Sequence, residues 1–288
     1  MMFDCVLSSS LPLNDAIEAL RQHHSNTQLL TRPGVVRLCG FPENTVQALQ
    51  TLTQTWSDID VLWVPDTLST DTIKLLAFDM DGTLIENECI DEMGALYGCG
   101  DDMAKVTHRA MMGELDFAGS LVGRVALLKG APYTVVDEAV QHMRFFPGAH
   151  DLARFAERYG LHTYIFSGGF PEFTNRAVEI LNFEGSVSNE LVYDKHGQLT
   201  GEVVGPAGGK LFDADGKRRA LEVVARLHGL TLEQTLTAGD GANDVLMLSA
   251  AGFSVAFRAK PTAQKAASCA IRWGGLDLIP LLFAESWR

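Results

Sequence analysis

Four short stretches carry side chains that could act together on a phosphoryl group. The first is Phe78-Asp79-Met80-Asp81-Gly82-Thr83-Leu84. Two carboxylates two residues apart after an apolar run are costly to hold unless a cation binds there. A hard divalent ion such as Mg²⁺ takes oxygen ligands of this kind. Asp79 has the chemistry to attack phosphorus and form an acyl phosphate, and Asp81 to protonate the leaving oxygen and then activate water. The second stretch is Ser167-Gly168-Gly169, whose hydroxyl and glycine amides suit phosphate oxygens. The third is Lys217 in Ala214-Asp215-Gly216-Lys217, a candidate to neutralise phosphoryl charge, with Lys210, Arg218 and Arg219 as rivals. The fourth is Gly239-Asp240-Gly241-Ala242-Asn243-Asp244. Asp240 suits a metal ligand, and Asp244 a metal contact through water or a partner for Lys217. Each piece alone has a bland alternative: a polar turn, a plain loop, a surface lysine, a helix cap. Taken together, they supply the nucleophile, oxyanion grip, counter-charge and metal that phosphoryl transfer requires.

These residues need elements that bring them to one place. Three of the four stretches follow short apolar runs: Ile73–Phe78, Thr163–Phe166 and Thr235–Ala238. A further run, Phe253–Phe257, comes later. With helical segments such as Ala149–Tyr159 and Lys217–Leu227 between them, these runs predict an α/β fold: a Rossmann-like parallel sheet covered on both faces. Ligands in such sheets collect beyond the C-terminal strand ends, where the polar residues fall. Between about 86 and 146 a mainly helical stretch replaces a simple crossover and is expected to form an inserted cap. The pattern over 190–204, with Asp194-Lys195-His196-Gly197 at its middle, predicts a β-hairpin.

Residues 1–70 read differently. Phe3–Leu7, Gln28–Leu30, Val35–Cys39 and Ile59–Val64 are expected strands, and 12–23 and 43–56 expected helices, with Ser10 as a cap. That order resembles a small ferredoxin-like or ACT-like α+β domain, a candidate amino-acid-binding or dimer-forming module. Residues 71–288 then form the main domain.

The bulk properties exclude several classes. The chain has 288 residues and a formal charge of 23 − 36 = −13, so nonspecific nucleic-acid binding is disfavoured. No run of about 18 uncharged apolar residues is present to span a membrane. Five cysteines without a C-x-x-C pair fit reduced thiols, and the first residues lack the pattern of a signal peptide; a cytoplasmic protein is expected.

The four motifs resemble the haloacid dehalogenase superfamily, and residues from about 74 to 285 look like its phosphoserine phosphatases. The resemblance rests on Asp79, Asp81 and Thr83, on Ser167–Phe170, on Lys217, on 239–244 and on Ala259-Lys260-Pro261. It implies Mg²⁺-dependent hydrolysis of phosphoserine in serine biosynthesis. Asp79 is then nucleophile and metal ligand. Asp81 is general acid and base, with its backbone carbonyl on the metal. Asp240 is a third ligand with Asp244 behind it. Ser167, Gly168 and Lys217 hold the phosphoryl group, with Asn243 nearby. In the cap, Glu88 matches the glutamate that holds the substrate amine, and Arg124 the arginine that grips its carboxylate, while Met111 and Phe117 match apolar lid positions. The subfamily usually has serine where Gly82 stands. Rival readings are a dehalogenase, against which Asp81 argues, a phosphatase for another small metabolite such as phosphohomoserine, and an amino-acid-binding regulatory protein.

Overall fold

The computed structural model describes residues 1–25, 27–53 and 55–287, with every side chain among them except that of Met111. The chain opens with β1 (Met2–Ser8), α1 (Asn14–His23), β2 (Gln28–Arg32), β3 (Val35–Pro42), α2 (Glu43–Thr53) and β4 (Asp60–Pro65). The strands form an antiparallel sheet in the order β2-β3-β1-β4, the βαββαβ arrangement of ferredoxin-like units. Helix α1 starts at Asn14 rather than Pro12, and no side chain caps it. The hydroxyl of Ser9, not that of Ser10, takes the local amide, accepting from Leu11 N–H at 3.0 Å.

Strand alternation gives this sheet two buried faces. Cys5, Leu7, Leu38 and Trp63 pack with Leu20 and Leu49 of the two helices. Val6, Val35, Leu62 and Val64 point the other way, into the core that also holds Leu76 and Phe78.

The remainder begins with β5 (Leu75–Phe78) and continues through α3 (Cys89–Tyr97), α4 (Gly100–Met111), α5 (Phe117–Leu127), α6 (Tyr133–Gln141) and α7 (Ala149–Tyr159). Then come β6 (His162–Phe166), α8 (Pro171–Leu181), β7 (Gly185–Val187), β8 (Glu190–Tyr193), β9 (Leu199–Val204) and α9 (Ala214–Leu227). The chain closes with β10 (Thr235–Gly239), α10 (Val245–Ala250), β11 (Phe253–Phe257), α11 (Pro261–Ala266), β12 (Cys269–Ile271) and α12 (Leu278–Leu281). Six strands make one sheet in the order β12-β11-β10-β5-β6-β7, parallel throughout. Every residue of β5, β10 and β11 is buried, which is why these strands read as unbroken apolar runs. Helix α7 buries Ala149, Leu152, Phe155 and Ala156 on one stripe and stops at Gly160, whose φ of 61° a glycine tolerates.

The chain leaves β5 for β6 on one side and later returns to β10 on the other. The crevice beyond β5 is therefore a topological switch point, where open α/β sheets bind ligands. Helices α3–α6 occupy the stretch between β5 and α7. The β8–β9 hairpin lies against α5: Gly130 N–H donates to Leu199 O at 2.7 Å, and Gly201 lacks the Cβ that would sit 3.0 Å from Lys129 Cβ.

Candidate active site

Asp79 follows β5 directly and Asp240 follows β10. The two strands are neighbours, with Phe78 opposite Ala238 and the Asp79 N–H donating to Ala238 O at 2.9 Å. Carboxylate oxygens of Asp79, Asp240 and Asp244 lie within 4.8 Å of one another. Lys217 reaches this cluster from the first turn of α9, fully buried, with Nζ 2.7 Å from Asp79 Oδ1 and 2.7 Å from Asp244 Oδ1. Its sequence rivals point elsewhere: Arg218 and Arg219 pair with Asp215, and Lys210 is exposed.

The oxygens divide the work. Asp244 is fully committed: Oδ1 holds Lys217, and Oδ2 accepts the Asp240 and Gly241 amides at 3.1 and 2.9 Å. Asp79 Oδ1 takes Lys217 and the Met80 N–H, leaving Oδ2 without a donor among the described residues. Gly82 has φ of 73°, and a Cβ there would fall 2.9 Å from Asp240 Cγ, so the bare backbone lets Asp240 lie against the Asp79 loop.

Asp81 turns toward the start of α3, where the Cys89 thiol donates to Oδ1 at 2.9 Å. Ser167 is buried after β6; its Oγ accepts the Gly169 N–H at 2.9 Å, which leaves its O–H free to donate. A Cβ on Gly168 would meet the Phe117 ring at 2.8 Å, and one on Gly169 would meet Asp81 Oδ2 at 3.6 Å. Phe117 of α5 and Asp81 thus both border the Ser-Gly-Gly loop. Asn243 is half-buried and folds its Oδ1 back over Gly241. Met111 ends α4, and its side chain lies outside the described residues.

Arg124 is largely buried, with NH1 3.7 Å from Asp91 Oδ1 and Nε without a hydrogen-bond partner among the described residues. Glu88 is open to solvent yet lies in the same field. Crowding by protein pushes its carboxyl up and Asp91 adds to this, while Arg124, Lys260 and Lys217 pull it down.

The other acids show the strain of like charges. Burial, then Glu88, raises Asp81 to about 7, with the Cys89 hydrogen bond and the Lys217 charge opposing. Burial and Asp244 raise Asp240 to about 6, against the pull of Lys260. Burial and Asp244 also push Asp79 well above the usual carboxylate range, against Lys217. Burial disfavours the Lys217 charge, but Asp244 and Asp79 outweigh it and hold the ammonium protonated. Five carboxylates here (Asp79, Asp81, Glu88, Asp240, Asp244) face three cationic side chains (Lys217, Lys260, Arg124), so the cleft has an excess of oxygen-donor negative charge that suits a hard divalent cation.

Residues 73–252 match the haloacid dehalogenase-like hydrolases. The chain belongs to that family. A phosphoserine phosphatase of Mycobacterium tuberculosis is 41% identical over 212 residues, 73% of this chain, although the chain spans only 50% of that protein's length. One of Albidiferax ferrireducens is 41% identical over 73% of this chain and 89% of its own. A crystal structure of a family hydrolase from Salmonella enterica serovar Typhi superposes with a TM-score of 0.86 at 25% identity, covering 99% of both chains. No helix among the described residues is long and apolar enough to cross a membrane.

Three neighbours of the cluster carried no recognised signal of their own. Cys89 and Asp91 sit in a stretch noted only for Glu88, and Asn189 lies outside every motif. Asn189 is buried and ties the Ser-Gly-Gly loop to the approach of α9: Nδ2 donates to Gly168 O at 2.9 Å and Oδ1 accepts Phe212 N–H at 2.6 Å.

Proposed function

We propose that this chain hydrolyses O-phosphoserine to serine and phosphate through an aspartyl-phosphate on Asp79. The observation that carries the reading is Asp79 at the switch point of the sheet, with Oδ1 held by Lys217 and Oδ2 left uncommitted among the described residues, in one cluster with Asp240. In the first half-reaction an Asp79 oxygen bonds to phosphorus and the serine oxygen leaves, taking the proton of Asp81. A carboxyl raised to about 7 still holds that proton in a large fraction of molecules near neutrality. In the second, Asp81 accepts a proton from water as the water attacks phosphorus and frees Asp79. The Ser167 hydroxyl, the Gly168 amide and the Lys217 ammonium bind the phosphoryl oxygens, with Asn243 beside them.

The donor set fits Mg²⁺. Asp79 and Asp240 supply the uncommitted carboxylate oxygens and the Asp81 carbonyl is a third candidate, while Asp244 orients Lys217 and the loop amides. When bound, the ion supplies neutralisation of charge on the transferring phosphoryl group.

Substrate choice rests on the cap. The Arg124 Nε, without a partner among the described residues, suits a carboxylate, Glu88 suits an ammonium, and Phe117 closes over Gly168. Two relatives of 41% identity bear the name phosphoserine phosphatase. The test is a panel of phosphorylated amino acids and p-nitrophenyl phosphate with Mg²⁺. Asp79→Asn is expected to lose turnover on every substrate, and chelator to abolish activity until Mg²⁺ returns. Arg124→Ala is expected to lose at least about tenfold more kcat/KM on phosphoserine than on p-nitrophenyl phosphate, since only the former has a carboxylate to lose. Equal losses on the two substrates would remove the phosphoserine reading and leave the phosphatase one.

A further inference from the structure

A second convergence of metal-ligating side chains lies at the opposite end of the parallel sheet. His162 opens β6, Glu184 stands one residue before β7, and His228 follows α9. His162 Nδ1 is 2.7 Å from Glu184 Oε1, and His228 Nε2 is 3.5 Å from Glu184 Oε2. The two imidazoles are stacked, centroids 3.6 Å apart and planes 28° apart, so both nitrogens meet the same carboxylate. Tyr164 sets its hydroxyl 2.9 Å from His228 Nε2 and 3.4 Å from Glu184 Oε2. None of these groups belongs to the phosphoryl site, which gathers at the other ends of the strands.

The donor set differs in kind from the acid cluster. Two imidazoles and one carboxylate suit zinc and its first-row neighbours, whereas all-oxygen sites suit Mg²⁺. Ligand atoms of the three residues fall within 4.8 Å of one another. Bonds of about 2.0–2.2 Å around a tetrahedral ion place ligand atoms about 3.3–3.6 Å apart. The 3.5 Å separation of His228 Nε2 from Glu184 lies in that range, and the 2.7 Å one of His162 Nδ1 is a hydrogen bond that the ion would replace and widen. The side chains of His162, Glu184 and His228 are 34%, 39% and 20% exposed, so small rotations are open to them and water can complete the shell. Tyr164 rests on the same His228 nitrogen that would face the ion, so metal binding would leave its hydroxyl only the contact to Glu184 Oε2, an outer hydrogen bond of the kind that orients a ligating carboxylate.

We propose that His162, Glu184 and His228 form a second metal site, for a divalent transition cation of the zinc type. The ion clips the start of β6, the turn into β7 and the end of α9 to one another. β6 carries Ser167 at its far end and α9 carries Lys217 in its first turn, so the clip fixes the bases of both elements.

The experiment uses the full chain, stripped with chelator and then held in excess Mg²⁺, and titrates Zn²⁺ by calorimetry with native mass spectrometry and thermal melts alongside. Wild type and Asp240→Asn are each expected to bind one zinc in this background and to melt higher with it. His228→Ala and His162→Gln are expected to weaken zinc at least about tenfold and to lose the melting shift, with unchanged zinc-free melting and Mg²⁺-supported turnover. Zinc affinity unchanged in both histidine variants, loss of zinc in Asp240→Asn, or no zinc uptake beside Mg²⁺ would each overturn the site. The cluster would then be a hydrogen-bonded Glu–His–Tyr network only.

Discussion

At the scale of single residues, Asp81 is the acid whose surroundings matter most. Its Oδ1 takes the Cys89 thiol at 2.9 Å, a contact that fixes the carboxyl and opposes the upward push of burial. A weak S–H donor of this kind is worth about 1 kcal/mol at most. Cys89→Val is therefore expected to lower kcat about fivefold with little change in KM, and Cys89→Ser to restore most of it, because the hydroxyl repeats the bond. A serine variant as slow as the valine one would show that packing, not the hydrogen bond, is at work. The same crowding sets a pH dependence. Asp81 and Asp240 are raised from 3.8 to about 7 and about 6, so the folded chain holds protons that the unfolded chain has released. Stability contributed by those protons is complete below about pH 4 and is lost as pH rises through 6 to 7. The metal-free protein is expected to melt about 5 °C lower at pH 8 than at pH 5.5 on this account, and saturating Mg²⁺ to shrink the difference, because a cation held by Asp240 favours its ionised form and that of the nearby Asp81. Melting curves at the two pH values, with and without Mg²⁺, check it; a metal-free curve that rises with pH would contradict it.

Elements decide which of these residues meet. The nearness of Asp79 to Asp240 was legible in the sequence because each acid ends a run buried on both faces, and such runs lie inside a parallel sheet. The edge strands were not legible. Gly185–Val187 is half-buried along its length and Cys269–Ile271 has three residues, so neither repeats long enough to stand out from a loop. Helix α8 is not singled out by the pattern either: it begins at Pro171 directly after the Ser-Gly-Gly-Phe segment, whose glycines dominate that stretch. Asn189 was hidden for another reason: its partners, Gly168 and Phe212, lie 21 and 23 residues away, and no local pattern encodes the contact. It nevertheless satisfies three backbone groups, with Nδ2 also 3.3 Å from Phe212 O. Replacing it strands buried donors and acceptors at about 1–3 kcal/mol in total and frees the loop that carries Ser167. Asn189→Ala is expected to unfold at lower urea by that margin and to raise KM for phosphoserine several-fold. Asn189→Asp, which keeps the acceptor for Phe212 N–H but sets a buried carboxylate against the Gly168 and Phe212 carbonyls, is expected to lose at least as much stability. Matched urea midpoints for wild type and Asn189→Ala would refute the clamp.

At the scale of the whole molecule, the antiparallel N-terminal sheet is a packed layer rather than an appendage, because its second face lies in the same core as β5. Its attachment is also polar and buried. Asp60 accepts the Arg272 and Gly274 amides, both at 2.7 Å, so β4 grips the turn after β12. Arg37 and Asp4, 2% and 9% exposed, form an ion pair at 2.7 Å across β3 and β1, and Arg37 NH1 extends to Leu282 O at 3.0 Å. A buried pair adds little net stability over an apolar one, yet breaking it strands a charge at about 3–5 kcal/mol. Asp4→Ala leaves the Arg37 guanidinium beside apolar neighbours with only a carbonyl to hold it. It is expected to lower unfolding free energy by about 3 kcal/mol or more, whereas the double change Asp4→Leu with Arg37→Met recovers much of the loss because no buried charge remains. Urea denaturation of the two single variants and the double one reads the coupling directly. The reading of a mutually dependent buried pair stands if the double variant is more stable than Asp4→Ala, and it falls if the losses simply add.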